Sequence, residues 1–339
     1  MRAFVTGGTG LIGRALVDAL LRKDWAVTIL TRDPARAEEF RPRGATVAAG
    51  DVTRPTFHGA MARADVVFHI AGWLELGIRD AARMHEVNVE GTRNILSMAR
   101  KENIGRVVYT STAGVFAPAT TEHPATESSP VQVALDDPYV RSKVEAHRLA
   151  LREMEAGLPL TIVLPAAVFG PHDTGQLGRS LALLVRGKLP RLPRGFGTNT
   201  WTHAADIAEG HFLAATKGKA GEQYLLGDRV MPLAEFYVKA AEAAGVPPPT
   251  ANVPMCLARF AARFSEMRAR LAGRTPLLSR AALNLAAIDL VVNPSKARRE
   301  LGWTPRPFED RLRETVKWYA STYADRRAPL PKKPQPTAG

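Results

Sequence analysis

Tyr139 and Lys143 lie four positions apart in the run PYVRSKVEAHRLALREME, a spacing that places both side chains on one face of a helix. A phenol ordinarily loses its proton near pH 10 and is a poor acid or base at neutrality. An ammonium about 4 Å away would stabilise the phenolate by up to ~4 kcal/mol at an effective dielectric of about 20. Tyr139 is therefore expected to exchange a proton with a substrate oxygen. A surface Tyr and Lys on an amphipathic helix would show the same spacing, so the pair acquires meaning only from a second motif. Thr6-Gly7-Gly8-Thr9-Gly10-Leu11-Ile12-Gly13 joins a β-branched run to an amphipathic stretch, with Gly7, Gly10 and Gly13 three apart. Small residues there let the chain turn sharply and let a pyrophosphate approach the amides of a helix N-terminus. Thr110-Ser111-Thr112 follows a later strand-like run. In an open parallel sheet, ligands sit at the carboxyl ends of strands, so a hydroxyl there could polarise the same oxygen.

These groups need a scaffold, and the first half supplies one by alternation. Strand-like runs occur at Ala3–Thr6, Ala26–Leu30, Ala45–Ala48, Val66–Ile70, Val107–Thr110 and Thr161–Leu164. Helical patterns lie between them at Leu11–Arg22, Ala35–Phe40, Ala81–Lys101 and Tyr139–Ala156. The pattern predicts an α/β, Rossmann-type, doubly wound parallel sheet. After about residue 165 the rhythm gives way to Pro- and Gly-rich connections and helices, which predicts a smaller, mostly helical substrate domain. The expected division is a dinucleotide-binding domain over 1–168 with a returning segment near 200–228. The substrate domain would comprise 169–199 and 229–325, and 326–339 would be a disordered basic tail.

With 339 residues, 45% apolar and 23% charged, the chain has the balance of a folded globular protein. No apolar run approaches the ~20 residues that cross a bilayer, and a strand-like run begins almost at once, so no signal peptide is expected. One cysteine, Cys256, permits no internal disulfide; a cytoplasmic protein is expected. The net charge of +13 comes from three late segments, 179–194, 259–280 and 326–339, which leave the remainder near neutral. No recognition motif accompanies them, so a solvated basic surface, and no nucleic acid, is expected. The basic amphipathic stretch Leu257–Leu271 could lie on a membrane surface, but is expected instead to cover a substrate cleft. The histidines give no metal-ligand spacing, so no metal is expected.

The motifs together resemble the extended short-chain dehydrogenase/reductase superfamily. The resemblance rests on TGGTGLIG, GDVTRP around Asp51, His69-Ile70-Ala71-Gly72, Asn88 in NVEGTRNIL, TSTAGVF, YVRSK, PAAVFGP from Pro165, THAADIAEGH around His203 and Asp206, and a closing SKARRELGWTPRPFEDRLRETVKWY. It implies that Tyr139 is the acid/base, with Lys143 its partner and a ribose ligand. Thr112 would supply the hydroxyl, and Ser111 could assist. Gly7, Thr9, Gly10, Leu11, Ile12, Gly13, Asp51, Val52, Ala71, Gly72, Pro165 and Val168 would line a nicotinamide cofactor. Asn88 would be structural or hold the proton-relay helix. Within the superfamily the chain is most similar to the dihydroflavonol reductase and 3β-hydroxysteroid dehydrogenase-like branch, the segment Gly197–His203 included. Many nucleotide-sugar epimerases carry an arginine near Asn199, which this chain lacks. Thr112 replaces the commoner serine, and Leu164 stands where an arginine is frequent.

The reading is an oxidoreductase interconverting a carbonyl and a hydroxyl on a largely apolar small molecule, with a homodimer possible. Alternatives are a nucleotide-sugar epimerase/dehydratase and a non-catalytic cofactor-binding regulator, against which the intact Tyr139, Lys143 and Thr112 argue. Trp73, Leu74, Phe116, Phe169 and Leu177 are expected around the substrate. NADP(H) is expected over NAD(H), because Arg32 follows the second strand and offers a fork suited to a 2′-phosphate. Asp33-Pro34 reads as a helix cap that commits the nearby carboxylate elsewhere.

Overall fold

The computed structural model describes residues 1–76, 80–271, 278–323, 325 and 330–331, apart from the side chains of 251, 252 and 270. In chain order the first strands are β1 (Arg2–Thr6), β2 (Ala26–Thr31), β3 (Thr46–Ala49), β4 (Val66–His69), β5 (Val107–Thr110) and β6 (Leu160–Pro165). Then come β7 (Ala167–Phe169), β8 (Leu192–Pro193), β9 (Thr198–His203), β10 (Gln223–Leu226), β11 (Arg229–Pro232) and β12 (Ala251–Val253). The helices begin with α1 (Leu11–Arg22), α2 (His58–Met61), α3 (Ala81–His85), α4 (Gly91–Lys101), α5 (Pro138–Glu155) and α6 (Gln176–Val185). They continue with α7 (Ala204–Thr216), α8 (Leu233–Ala244), α9 (Met255–Leu271), α10 (Arg280–Ala286), α11 (Ser295–Leu301) and α12 (Phe308–Tyr323).

Seven strands form one sheet in the order β10-β6-β5-β4-β1-β2-β3, and every pairing in it is parallel. Strand residues alternate between its faces. Phe4, Val67, Tyr109 and Ile162 face one side with α4 and α5; Val5, Phe68, Val108 and Val163 face the other with α1 and α7. Both faces are covered, which is why these strands are apolar throughout. The strand order reverses direction at β1, leaving a crevice between the ends of β1 and β4 where nucleotides bind in such sheets. The doubly wound architecture expected from the sequence is thus the one observed.

The later chain packs around a separate aromatic core. The sheet β11-β9-β7 lies against α6, α8 and α12, where Trp201 and Phe236 stack at 4.2 Å. A buried ion pair ties this region back: Arg311 on α12 donates to both carboxylate oxygens of Asp206 on α7, at 2.7 and 3.0 Å. The Trp303 indole donates to the Asp206 carbonyl at 2.8 Å.

Several local expectations are corrected. The stretch after β2 is a 3-10 helix, Pro34–Arg43, with Pro42 inside it, because proline removes an α-helical donor. The long helix over 81–101 contains a π turn at Glu86–Glu90. Helix α9 does not cover a cleft with its large apolar residues: Ala258 and Ala262 pack inward against Leu283, while Leu257, Phe260, Phe264, Met267 and Leu271 are exposed. Most of the tail lies outside the described residues. Within it, Leu330 packs on the aromatic core and the Pro331 carbonyl accepts from Arg179 at 3.2 Å.

Candidate active site

The glycine turn leaves the end of β1 and opens α1. Gly7 has φ +72°, and a Cβ there would lie 2.6 Å from the Ala71 amide nitrogen. A Cβ on Gly13 would lie 2.1 Å from the Gly7 carbonyl oxygen. Both positions therefore exclude any side chain, and a compact loop results with the Gly10 N–H donating to the Gly7 carbonyl at 3.0 Å. Gly10 is the N-cap of α1 and makes no side-chain cap, so the positive end of the helix dipole keeps amides available to an anion. Thr9 and Leu11 are partly exposed on this loop, whereas Ile12 packs against the core beneath α1. The loop fits a dinucleotide pyrophosphate. Across the crevice stand Ala71 and the exposed Gly72 after β4. Val52 is buried against Gly91, and Pro165 and Val168 follow at the end of β6 and on β7. Asp51 caps its own turn by accepting from the Thr53 amide at 2.9 Å and lies 3.5 Å from Arg83.

Arg32 is exposed beyond β2. Asp33 accepts from the Ala35 amide at 3.2 Å, so its carboxylate is used as the expected cap. A second cation was missed in the sequence: Arg36 reaches across to donate to the Thr9 carbonyl at 3.4 Å. Burial, then Arg14 and Arg32, lower its pKa despite Asp33. These cations converge beside the turn and would be relieved by an added anion. Arg36 lies four residues past Arg32, inside the 3-10 segment, and only the folded geometry brings it back to Thr9.

Helix α5 begins at a cap in which Asp137 accepts from the Tyr139 amide at 2.9 Å. It brings Tyr139 against Trp73, Met84 and Val87, with the Thr112 side chain near enough to favour the charged phenol. Burial raises the Tyr139 pKa to about 12, and Thr112 offsets only part of this. Lys143 does not lower it here, contrary to the expectation from spacing. Its ammonium is buried and donates to the Thr110 carbonyl at 3.1 Å, and burial lowers its pKa to about 8. Desolvation has moved both groups toward their neutral forms. Thr110 is itself fixed. His211 bonds the Ile207 carbonyl through Nδ1 at 2.8 Å, so Nε2 accepts from the Thr110 hydroxyl at 2.7 Å.

Asn88 sits inside the π turn and is buried. Its amide nitrogen donates to the Trp73 carbonyl at 3.0 Å and to Ser142 at 2.9 Å, while its oxygen accepts from the Trp73 amide at 2.6 Å. Ser142 in turn donates to the Tyr139 carbonyl at 2.8 Å. Below lies neutral His69, whose pKa burial, aided by Lys143, lowers to about 3. Thr92 donates to the Asn88 carbonyl, so it must accept from His69 Nε2 at 3.0 Å. His69 Nδ1 then accepts from Thr6 at 2.8 Å, and Thr6 receives the Ala71 amide. One polar chain thereby links the glycine turn to the tyrosine helix. From the sequence only Asn88 had a structural role; His69 was named within its motif without one, and Thr92 and Ser142 were not singled out, because small polar residues on apolar elements carry no periodic signal.

Three expectations are corrected. Ser111 is turned away from the phenol, its hydroxyl 3.0 Å from His147 Nδ1, because neighbouring residues of an extended segment face opposite ways. Phe169 is fully buried among His203, Phe236 and Phe308, and Phe116 is buried edge-on to His147. Both rings serve the core, where their area is hidden from water. Of the other three, Trp73 touches Tyr139, Leu74 is exposed beside it, and Leu177 lies on α6, packed against the aromatic core.

The profile of the NAD dependent epimerase/dehydratase family matches residues 3–227. A 4-hydroxy-2-methyl-3-oxo-4-farnesyl-3,4-dihydroquinoline-1-oxide ketoreductase from Stigmatella aurantiaca is 33% identical over 90% of this chain and 92% of its own. A putative dihydroflavonol 4-reductase from Synechocystis sp. is 31% identical over 93% of this chain and 94% of its own. The crystal structure of gox2253 superimposes with a TM-score of 0.79 at 30% identity, covering 95% of this chain and 98% of that one.

Proposed function

Because the chain belongs to the NAD-dependent epimerase/dehydratase family of extended short-chain dehydrogenases/reductases, we propose that it is an NADP(H)-dependent reductase of a carbonyl on a largely apolar small molecule. Membership and the reductases it resembles make it an NAD(P)-dependent oxidoreductase; the substrate class, the cofactor preference and the residue roles are the proposal. The observation that carries it is the meeting of Tyr139, Thr112 and Trp73 at one sheet edge, with Lys143 buried behind them.

The cofactor, held by the Gly7–Gly13 turn and by Lys143, supplies or accepts the hydride when bound. The chain handles the proton. Thr112 and Tyr139 present two hydroxyls to a substrate oxygen, and Tyr139 donates the proton as negative charge develops there. Lys143, held by its bond to the Thr110 carbonyl, is placed to bind the cofactor ribose behind the phenol. A phenol held near a pKa of 12 stays protonated, the state reduction requires. The oxidative direction needs added positive charge to bring it down. Trp73, locked by both bonds from Asn88, excludes water and offers an apolar wall.

Arg32 and Arg36 support the preference for NADP(H), since they crowd together beside the turn, where a 2′-phosphate would suit them. An apolar substrate is in keeping with the farnesyl-bearing quinoline of the Stigmatella relative. The test is NADPH oxidation by purified protein against apolar ketones, aldehydes and sterols, with Tyr139→Phe as control. Turnover by wild type, abolished in Tyr139→Phe with NADPH binding retained, supports the reading. Near-normal turnover in the variant sinks the mechanism. Tight competitive binding of uridine or thymidine diphosphate would transfer the assignment to a nucleotide-sugar epimerase.

A further inference from the structure

Helix α9 carries Leu257, Phe260, Phe264, Met267 and Leu271 on a single ridge that the protein leaves in solvent, with Phe260 74% and Leu271 85% exposed. At 3.6 residues per turn these positions span only about 80° of the helix circumference. The opposite side, Ala258 and Ala262, is what packs on the body. Small residues facing inward and large apolar ones outward reverse the usual order of a surface helix. The same helix bears Arg259, Arg263, Arg268 and Arg270 against one acid, Glu266, and that acid is already bonded to Arg280 at 2.7 and 3.0 Å. On the helical wheel Arg259 and Arg263 fall along one margin of the ridge and Arg268 along the other. Positive charge continues at the helix entrance: exposed Arg191 and Arg194 flank β8, which pairs with β12, the strand leading into α9.

From this we infer that α9 lays the protein reversibly on an anionic lipid surface, with the apolar ridge at the acyl boundary and the arginines on lipid phosphates. Low area, a narrow apolar stripe and basic margins are the attributes of a helix that lies in a membrane interface. A second copy of the chain fits the ridge less well, since self-pairing would bring arginine margins against each other with no free acid on α9 to answer them. The placement has a consequence for substrate entry, which rests on the reductase reading above. Ser279, the N-cap of α10, donates to the Leu76 carbonyl on the loop after β4 at 3.4 Å. That loop carries Trp73, which packs on Tyr139. An apolar substrate dissolved in the bilayer would thus reach the site without crossing water.

The test is flotation of the full-length protein with vesicles of phosphatidylcholine alone and of equal parts phosphatidylcholine and phosphatidylglycerol. Binding is expected to the anionic vesicles at about 0.1 M salt and to weaken as salt approaches about 1 M. Phe260→Ser/Phe264→Ser should weaken it about a hundredfold, and Arg259→Gln/Arg263→Gln/Arg268→Gln by a similar factor. Both variants alter exposed side chains, so their thermal midpoints and turnover of a water-soluble substrate should match wild type. In a Phe260→Trp variant, the fluorescence should shift blue on anionic vesicles. No binding, binding indifferent to lipid charge, or binding unchanged in both variants would overturn the inference. A dimer by sedimentation velocity that Phe260→Ser/Phe264→Ser converts to monomer, with no vesicle binding, would make the ridge an interface between copies. Because vesicle binding is read without turnover, failure of the anchor and failure of the reductase assignment are separate outcomes.

Discussion

Replacing Lys143 by methionine should abolish function while making the cofactor-free protein more stable at neutral pH. The ammonium is buried, and desolvation lowers its pKa from 10.5 to about 8. At ~1.36 kcal/mol per pH unit, holding it charged in the folded state costs about 3 kcal/mol. Methionine fills a similar volume without charge, but leaves the Thr110 carbonyl without the donor now 3.1 Å away, a loss of about 1–2 kcal/mol. The net is a gain of about 1–2 kcal/mol, or a thermal midpoint higher by about 2 °C at ~2.1 cal/mol/K per residue for 339 residues. The pH dependence is the sharper test. Below about pH 8 both folded and unfolded wild type carry the charge, and the full cost is present. Between about 8 and 10.5 the unfolded chain binds the extra proton, so wild-type stability from this group rises with pH. Above that window the cost is gone and only the lost hydrogen bond separates the proteins. The variant should therefore be the more stable at pH 7 and the less stable near pH 10.5, by calorimetry at a series of pH values. A difference that does not fall across that window would refute the claim that burial, rather than a compensating partner, governs this lysine.

Ultraviolet titration of the cofactor-free protein should show no phenolate from Tyr139 until about pH 12, identified by difference from Tyr139→Phe. Adding oxidised cofactor should lower that midpoint, and an unchanged midpoint would detach the phenol from the cofactor site. Arg32→Ala should weaken NADPH about ten- to a hundredfold at ~1.5–3 kcal/mol per charge-assisted contact. NADH should be nearly unaffected, and Arg36→Ala should act in the same direction; equal losses for both cofactors by calorimetric titration would make the pair ordinary surface cations. Asp206→Asn should destabilise the protein by about 3–5 kcal/mol, because it leaves Arg311 buried with half its partner gone. A loss under about 1 kcal/mol in denaturant unfolding would show that solvent reaches the pair.

Periodic features were legible in the sequence, and features made by distant contacts were not. Helix α1 occupies Leu11–Arg22 as its pattern reads, and the glycine turn and the Asp33 cap follow from residue types that admit few conformations. The environment of Tyr139 and Lys143 was hidden. Four-residue spacing places Tyr139 and Lys143 on one face but does not reveal that the lysine reaches to Thr110, 33 residues earlier, or that burial outweighs mutual attraction. The π turn around Asn88 was equally invisible, since one extra residue in a helical turn barely disturbs an apolar pattern. Phe116 and Phe169 were placed at the substrate because their loops end near Tyr139; which side of a loop an aromatic ring takes is decided by packing. The exposed ridge of α9 reads as amphipathic in sequence, yet the sequence cannot tell which face turns inward when one is lined with alanine.

The Asp206–Arg311 pair also sets a clock for synthesis. Its partners are 105 residues apart, so at about 5–20 residues per second the ribosome takes about 5–20 s to deliver the arginine after the aspartate. Throughout that interval α7 can dock its apolar face on the sheet while the carboxylate awaits its counter-charge. Helix α7 also carries His211, the residue that pins Thr110 beneath Lys143. The nascent chain can therefore seat α7 on its sheet, His211 against Thr110 included, before the helix that will neutralise Asp206 has been translated.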